Sequence, residues 1–285
     1  MARPPIRKAQ PKAKEAVAAL PIAGGKLCLH ELRSQVFGDT RLVRVWLPPD
    51  YDGSGSVCYP ILYLSDGQNL FEAATAFAGV HWQVGETATR LISERKIPPL
   101  IIIGIDNTKS RIQEYIPYKS TDPRVANPRG SCYPEFLRRE VMPLIEDRYM
   151  VRKGPEHTGF GGSSLGGLIT LYTQLAMPAV FGRLLVESPS LFVAKKKILE
   201  EGRRFCSWPQ RMYVGIGTQE TGNAEKDAKI VDGVRELESI VRACGLGENR
   251  LKVRIDEGAG HNEAAWAARF PEALEFLYST RDDNS

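Results

Sequence analysis

The sequence has little with which to hold a metal, a disulfide framework or a membrane. Its five cysteines, Cys28, Cys58, Cys132, Cys206 and Cys244, show neither C-x-x-C nor any other metal-ligand spacing. Their number is odd, so free thiols in a reducing compartment are the default, and a cytoplasmic chain is expected. No run approaches the roughly 20 apolar residues of a membrane helix. Net charge is small as well. Arg3, Arg7, Lys8, Lys12 and Lys14 against Glu15 give the first 25 residues the whole formal charge of +4, and the remainder is neutral. A neutral body offers no basic face for nucleic acid. The first stretch, "MARPPIRKAQPKAKEAVAALPIAGG", has only "AVAAL" as an apolar run, too short for a signal segment. It reads as a flexible, basic, Pro/Ala-rich extension over 1–25, followed by one domain over 26–285.

What the chain does have is alternation. "KLCLHELRSQVF" and "TRLVRVWLPPDY" read as two strands joined by a "GDT" hairpin turn. After them come short runs apolar on both faces: "YPILYLSDG", "PLIIIGIDN", "HTGFGG", "GRLLVESPS", "RMYVGIGTQ" and "RLKVRIDEG". Such runs suit strands covered on both sides. Helical stretches separate them, from "WQVGETATRLISERK" to "NEAAWAARFPEALEFLYS". The order predicts an α/β fold: a mainly parallel, doubly wound sheet with an antiparallel front edge. The segment after the sixth strand can hold one helix, so no large cap domain is expected. The connection over 107–131 is long and polar, which points to function or disorder.

"HTGFGGSSLGGL" packs five glycines and two serines between a strand and a helix. A Walker cradle would need Lys and Ser/Thr where Gly167 and Leu168 stand, and a dinucleotide fingerprint would need glycine where Ser164 stands. Gly162-Ser163-Ser164-Leu165-Gly166 fits G-x-S-x-G, the turn that exposes a nucleophilic serine. Side chains at 162 and 166 would collide in so tight a turn. Ser163 lacks flanking glycines at that spacing and reads as a local hydrogen-bonder.

A serine needs a base, and the base an orienting acid, in the order Ser, acid, His. His261 is the single histidine after Ser164; His30, His81 and His157 precede it. The acid should follow the seventh strand, where Glu220, Glu225 and Asp227 stand. Glu220 lies nearest the strand end, with Asp227 in reserve. The oxyanion would be held by the N–H of Leu165 and one from the "LSDGQNLF" loop, for which Gln68 is chosen.

These residues, together with "IIIGIDN", "SPSLF", "GTQE" and "GHNEAAW", resemble the putative esterase family of α/β-hydrolases. That family includes enterochelin-esterase-like and esterase D-like enzymes, feruloyl esterases and the antigen 85 acyltransferases. The resemblance runs from about residue 27 to 279. It implies an α/β-hydrolase fold, Ser164 as nucleophile, His261 as base, Glu220 as acid and Gln68 at the oxyanion. It also singles out Arg111, Glu114 and Tyr115 beside the site, with Arg111 and Tyr115 as candidates to bind substrate. Tyr115, Tyr118 and Tyr133 either present aromatic surface or pack the long loop down; Lys109, Lys119, Arg124 and Arg129 are candidates to attract an anion. The expected function is serine ester hydrolysis of a small-molecule ester through an acyl-enzyme, with no cofactor or metal. An acyltransferase with the same three residues, or a binding protein on the same fold, remains an alternative. The ester and any homo-oligomer stay open.

Overall fold

A computed structural model describes residues 18–22, 24–55, 57–119 and 125–279. Its strands are β1 (Ala18–Ile22), β2 (Gly25–Arg33), β3 (Thr40–Leu47), β4 (Ile61–Ser65), β5 (Ile101–Ile105), β6 (Thr158–Ser163), β7 (Arg183–Glu187), β8 (Arg211–Gln219) and β9 (Leu251–Gly260). They form one sheet in the order β1-β2-β3-β5-β4-β6-β7-β8-β9. The pairs from β1 through β3 to β5 are antiparallel, and those from β5 to β9 are parallel. The alternation of the sequence predicts this doubly wound sheet and its antiparallel edge.

Every residue of β4, β5 and β6 is buried, which is why these strands read as unbroken apolar runs. Helices α1 (Val84–Ser93) and α8 (Glu263–Tyr278) cover one face, around Trp46, Trp82 and Phe270. On the other face lie α2 (Arg111–Tyr115), α3 (Tyr133–Phe136), α4 (Met142–Arg148), α5 (Leu165–Ala176), α6 (Lys197–Gly202) and α7 (Ala224–Ala243). Their core includes Phe136, Phe160, Leu168 and Val234. Between β7 and β8 stand α6 and one 3-10 turn, with no cap domain among the described residues.

Two expectations are corrected. The sheet begins before residue 26: β1 pairs with β2 from Ala18↔Leu29 to Ile22↔Gly25. Gly24, at φ 70°, makes the turn. Residues 1–17, which carry the basic charges, lie outside the described residues. The described parts of the 107–131 connection, 107–119 and 125–131, are ordered rather than structureless. They hold α2, and the Arg129 guanidinium donates to the carbonyls of Val36 and Phe37. Arg124 lies outside the described residues.

The front edge buries one histidine. His30 Nδ1 lies 3.3 Å from Arg148 Nη1, so it accepts, and Nε2 donates to Tyr149 Oη at 2.5 Å. Burial, then the Arg148 charge, lowers its pKa to about 4. The unfolded chain takes up this proton near its ordinary 6.5. The contribution to stability is therefore full above about pH 6.5 and lost as pH falls towards 4, on the order of 2 kcal/mol. Urea unfolding of His30→Gln, which cannot take up the proton, should show a flatter fall in midpoint over that window than the wild type.

Candidate active site

β6 ends at Ser163 and α5 begins at Leu165, leaving Ser164 alone at the corner with φ 59° and ψ −121°. A side chain there is strained, and it persists because the backbone is held on several sides. Ser164 N–H donates to Glu187 O on β7 at 2.9 Å, and its carbonyl accepts from Leu168 N and Ser190 N, each at 3.1 Å. A Cβ on Gly162 would stand 1.9 Å from Ser65 Oγ, and one on Gly166 2.4 Å from the same atom. The demand for glycine thus comes mainly from a third residue, Ser65 at the end of β4.

The acid and the base are brought together by strand register. Gln219 on β8 pairs with Gly260 on β9, so the next residues, Glu220 and His261, leave neighbouring strands side by side. His261 Nδ1 lies 2.5 Å from Glu220 Oε2. Glu220 Oε1 accepts from Gly217 N–H at 2.7 Å and from the Ser188 hydroxyl at 2.8 Å. The Glu220 side chain is 1% exposed. Burial pushes its pKa up, but the hydrogen bonds from His261, Gly217 and Ser188 outweigh it and hold the carboxyl below its ordinary value. Asp227 is committed elsewhere: its Oδ1 accepts from the N–H and hydroxyl of Thr221, both at 2.7 Å. Glu225 pairs with Lys229 in solvent.

Ser188 and Trp266 escape the sequence reading. Trp266 Nε1 donates to Ser188 Oγ at 3.0 Å, and its ring meets His261 edge-on at 5.1 Å. Both lie inside quoted motifs, "SPSLF" and "GHNEAAW", but only the fold shows that they buttress Glu220 and the imidazole. Asn262 caps α8 by accepting from Ala265 N–H, so the helix starts directly after His261.

Ser164 and His261 line one cleft of about 500 Å³, with Gln68, Arg111, Glu263 and Trp266 among its other walls. No hydrogen bond joins Ser164 Oγ to His261 in this arrangement; the hydroxyl stands 3.5 Å from Ser190 Oγ. Such bonds commonly tighten only around substrate. Neither Leu165 N–H nor Gln68 N–H meets an acceptor among the described residues. Gly67 lets the Gln68 turn press on β5, since a Cβ there would stand 2.5 Å from the Gly104 carbonyl carbon.

Arg111 lines the cleft, but its fork is engaged. Nε and Nη2 donate to the two Asp66 carboxylate oxygens at 2.7 and 2.8 Å. Burial lowers the Arg111 pKa, and the Asp66 charge more than reverses this, so the net shift is upward. Tyr115 is a correction: it is fully buried and does not face the cleft. Its hydroxyl accepts from Asp66 N–H at 3.3 Å, which steadies the turn ahead of Gln68. Tyr118 and Tyr133 are buried too, the former donating to Glu201. Lys109 lines the cleft, whereas Arg129 serves the front edge. Among the described residues, no three His, Cys, Asp or Glu side chains cluster as metal ligands, and no helix is long and apolar enough to cross a membrane.

Comparison with known proteins fits this geometry. The family model described as putative esterase matches residues 34–277. A siderophore enterobactin esterase of Emericella nidulans is 30% identical over 216 residues, covering 70% of this chain and 65% of that protein. An uncharacterized protein of Bacillus subtilis is 26% identical over 243 residues, 84% of this chain and 92% of that one. The crystal structure of the BES protein from Bacillus cereus superposes with a TM-score of 0.71 at 18% identity, over 98% of this chain and 100% of that one. At that identity the superposition speaks for the fold, an α/β-hydrolase.

Proposed function

This chain belongs to the putative esterase family and is a carboxylic ester hydrolase; on that premise we propose that Ser164, His261 and Glu220 cleave the ester through an acyl-enzyme. The observation that supports the reading is a buried Glu220–His261 pair sharing one cleft with a serine at a strained strand-to-helix corner. The Ser164 hydroxyl turns from Ser190 to His261, whose Nε2 takes its proton as Oγ attacks the ester carbonyl. The N–H groups of Leu165 and Gln68 receive the oxyanion, the former at the start of α5 where the helix dipole favours negative charge. Collapse breaks the carbon–oxygen bond, and His261 protonates the leaving alcohol. Water then attacks the acyl group by the same route and frees Ser164. Glu220 accepts from Nδ1–H, fixes the tautomer and stabilises the imidazolium.

A fluorophosphonate probe should label the protein once, on the peptide containing Ser164. Labelling at another serine, or none on folded protein, would remove Ser164 from the role. Product analysis with added acceptor alcohols separates hydrolysis from acyl transfer. The panel of esters should include enterobactin, the substrate named for the Emericella relative.

A further inference from the structure

Phe77 and Ile112, two exposed large apolar side chains, line the cleft of Ser164. Phe192 is also exposed, at 64%, yet it lines a different space. This is a groove of about 600 Å³ between the segment after β7 and the helix α7. Pro189, Leu191 and Phe192 form one wall. Lys226, Ile230 and Gly233, spaced for one face of a helix, form the other.

The groove is walled by chain neighbours of residues beside the nucleophile, though not by Ser164 itself. Ser190, between Pro189 and Leu191, donates its N–H to Ser164 O and carries the hydroxyl 3.5 Å from Ser164 Oγ. Thr221, which follows Glu220, lines it as well. Sheet order fixes the sides. Gln68 and Arg111 follow β4 and β5, to one side of β6; the groove residues follow β7 and β8, to the other. The rim is held in a costly shape: Ala194, Lys195 and Lys196 have φ of 48°, 57° and 63° in succession. Three consecutive side-chain-bearing residues in the left-handed region persist only where their surroundings over-determine them, and such strain gathers at ligand clamps.

We propose that this groove is a second substrate subsite, taking an apolar or aryl group on one flank of the ester, while the other flank lies in the cleft of Ser164. Phe192 is then a specificity-determining residue. The charges along the groove are mixed: Lys226 and Asp232 line it, Lys196 is paired with Glu236, and Lys229 with Glu225. The inference rests on Ser164 as nucleophile, because it needs the scissile bond at the junction of groove and cleft.

Two ester series test it. One varies the acid on 4-nitrophenol (acetate, octanoate, 2-naphthoate); the other varies the alcohol on acetate (phenyl, 2-naphthyl). The wild type should prefer the large ester in one series, which tells acid flank from alcohol flank. Phe192→Ala removes the exposed wall, and Gly233→Leu fills the groove from α7, where a Cβ meets Leu191 at an ordinary 3.7 Å. Each should lower kcat/KM for the preferred large ester by about 10-fold or more, leaving 4-nitrophenyl acetate within about twofold. No size preference in the wild type, or equal losses on large and small esters, overturns the groove alone. A wild type that hydrolyses none of the esters, or a Ser164→Ala variant as active as the wild type, overturns the reading of Ser164 and the groove with it.

Discussion

Ser164→Ala is expected to lower kcat for ester hydrolysis by about 10⁴–10⁶-fold, with no loss of Tm. The hydroxyl carries little of the fold. Among the described residues its one hydrogen-bond neighbour is Ser190 Oγ, at the long distance of 3.5 Å. The bonds that shape the corner come from the Ser164 backbone and survive the change. Glycine makes the contrast sharper. It tolerates positive φ at no steric cost, so Ser164→Gly should be as inactive as the alanine variant but more stable, by about 1 kcal/mol or more. Measuring kcat and Tm on all three proteins decides the matter. Near-normal turnover by either variant would sink the nucleophile assignment, and a large drop in Tm would mean that the hydroxyl has a structural role.

Glu220→Gln is expected to cost about 10⁴-fold in kcat with little change in KM. The substitution keeps size and turns one oxygen into an amide nitrogen. Both Gly217 N–H and the Ser188 hydroxyl donate to Oε1, so the glutamine oxygen is held there. The NH₂ group then faces His261 Nδ1. A donor in that place makes Nδ1 accept and moves the imidazole proton to Nε2, where the base can no longer take one from Ser164. Asp227→Asn, by comparison, should disturb only the Thr221 turn and leave kcat close to wild type. A loss below about tenfold for Glu220→Gln, or a larger one for Asp227→Asn, would contradict the assignment of the acid.

Sequence reading reached the corner at Ser164 because backbone crowding dictates glycine at fixed offsets, and crowding leaves a mark on composition. It reached His261 because one histidine follows the serine. It ranked Glu220 above Asp227 only by nearness to the strand end. Both are acids just past β8, and what distinguishes them is the pairing of Gln219 with Gly260, which appears only when two strands meet. Tyr115 became a substrate candidate through the family resemblance alone, with packing of the loop equally open. Packing is the outcome, and its hydroxyl is satisfied by a backbone N–H 49 residues away in the chain, a partner no local pattern reveals. β1 was hidden by the Pro- and Lys-rich stretch before it. Ser65, which fills the space beside Gly162 and Gly166, carries no sequence signal at all, since any small residue at a strand end looks alike.

The Gln219↔Gly260 pairing also makes the site a gauge of folding. β9 is the edge strand and pairs with β8 alone. A slip of one residue along β8 would carry His261 about 3.3 Å from its place and turn every side chain of β9 to the opposite face, which a 2.5 Å contact with Glu220 does not survive. The irregularity between Gly217 and Gln219 breaks the uniformity of the ladder and penalises such a slip. A chain whose last strand had zipped one step out of register would be compact and nearly complete, and still have its base parted from its acid.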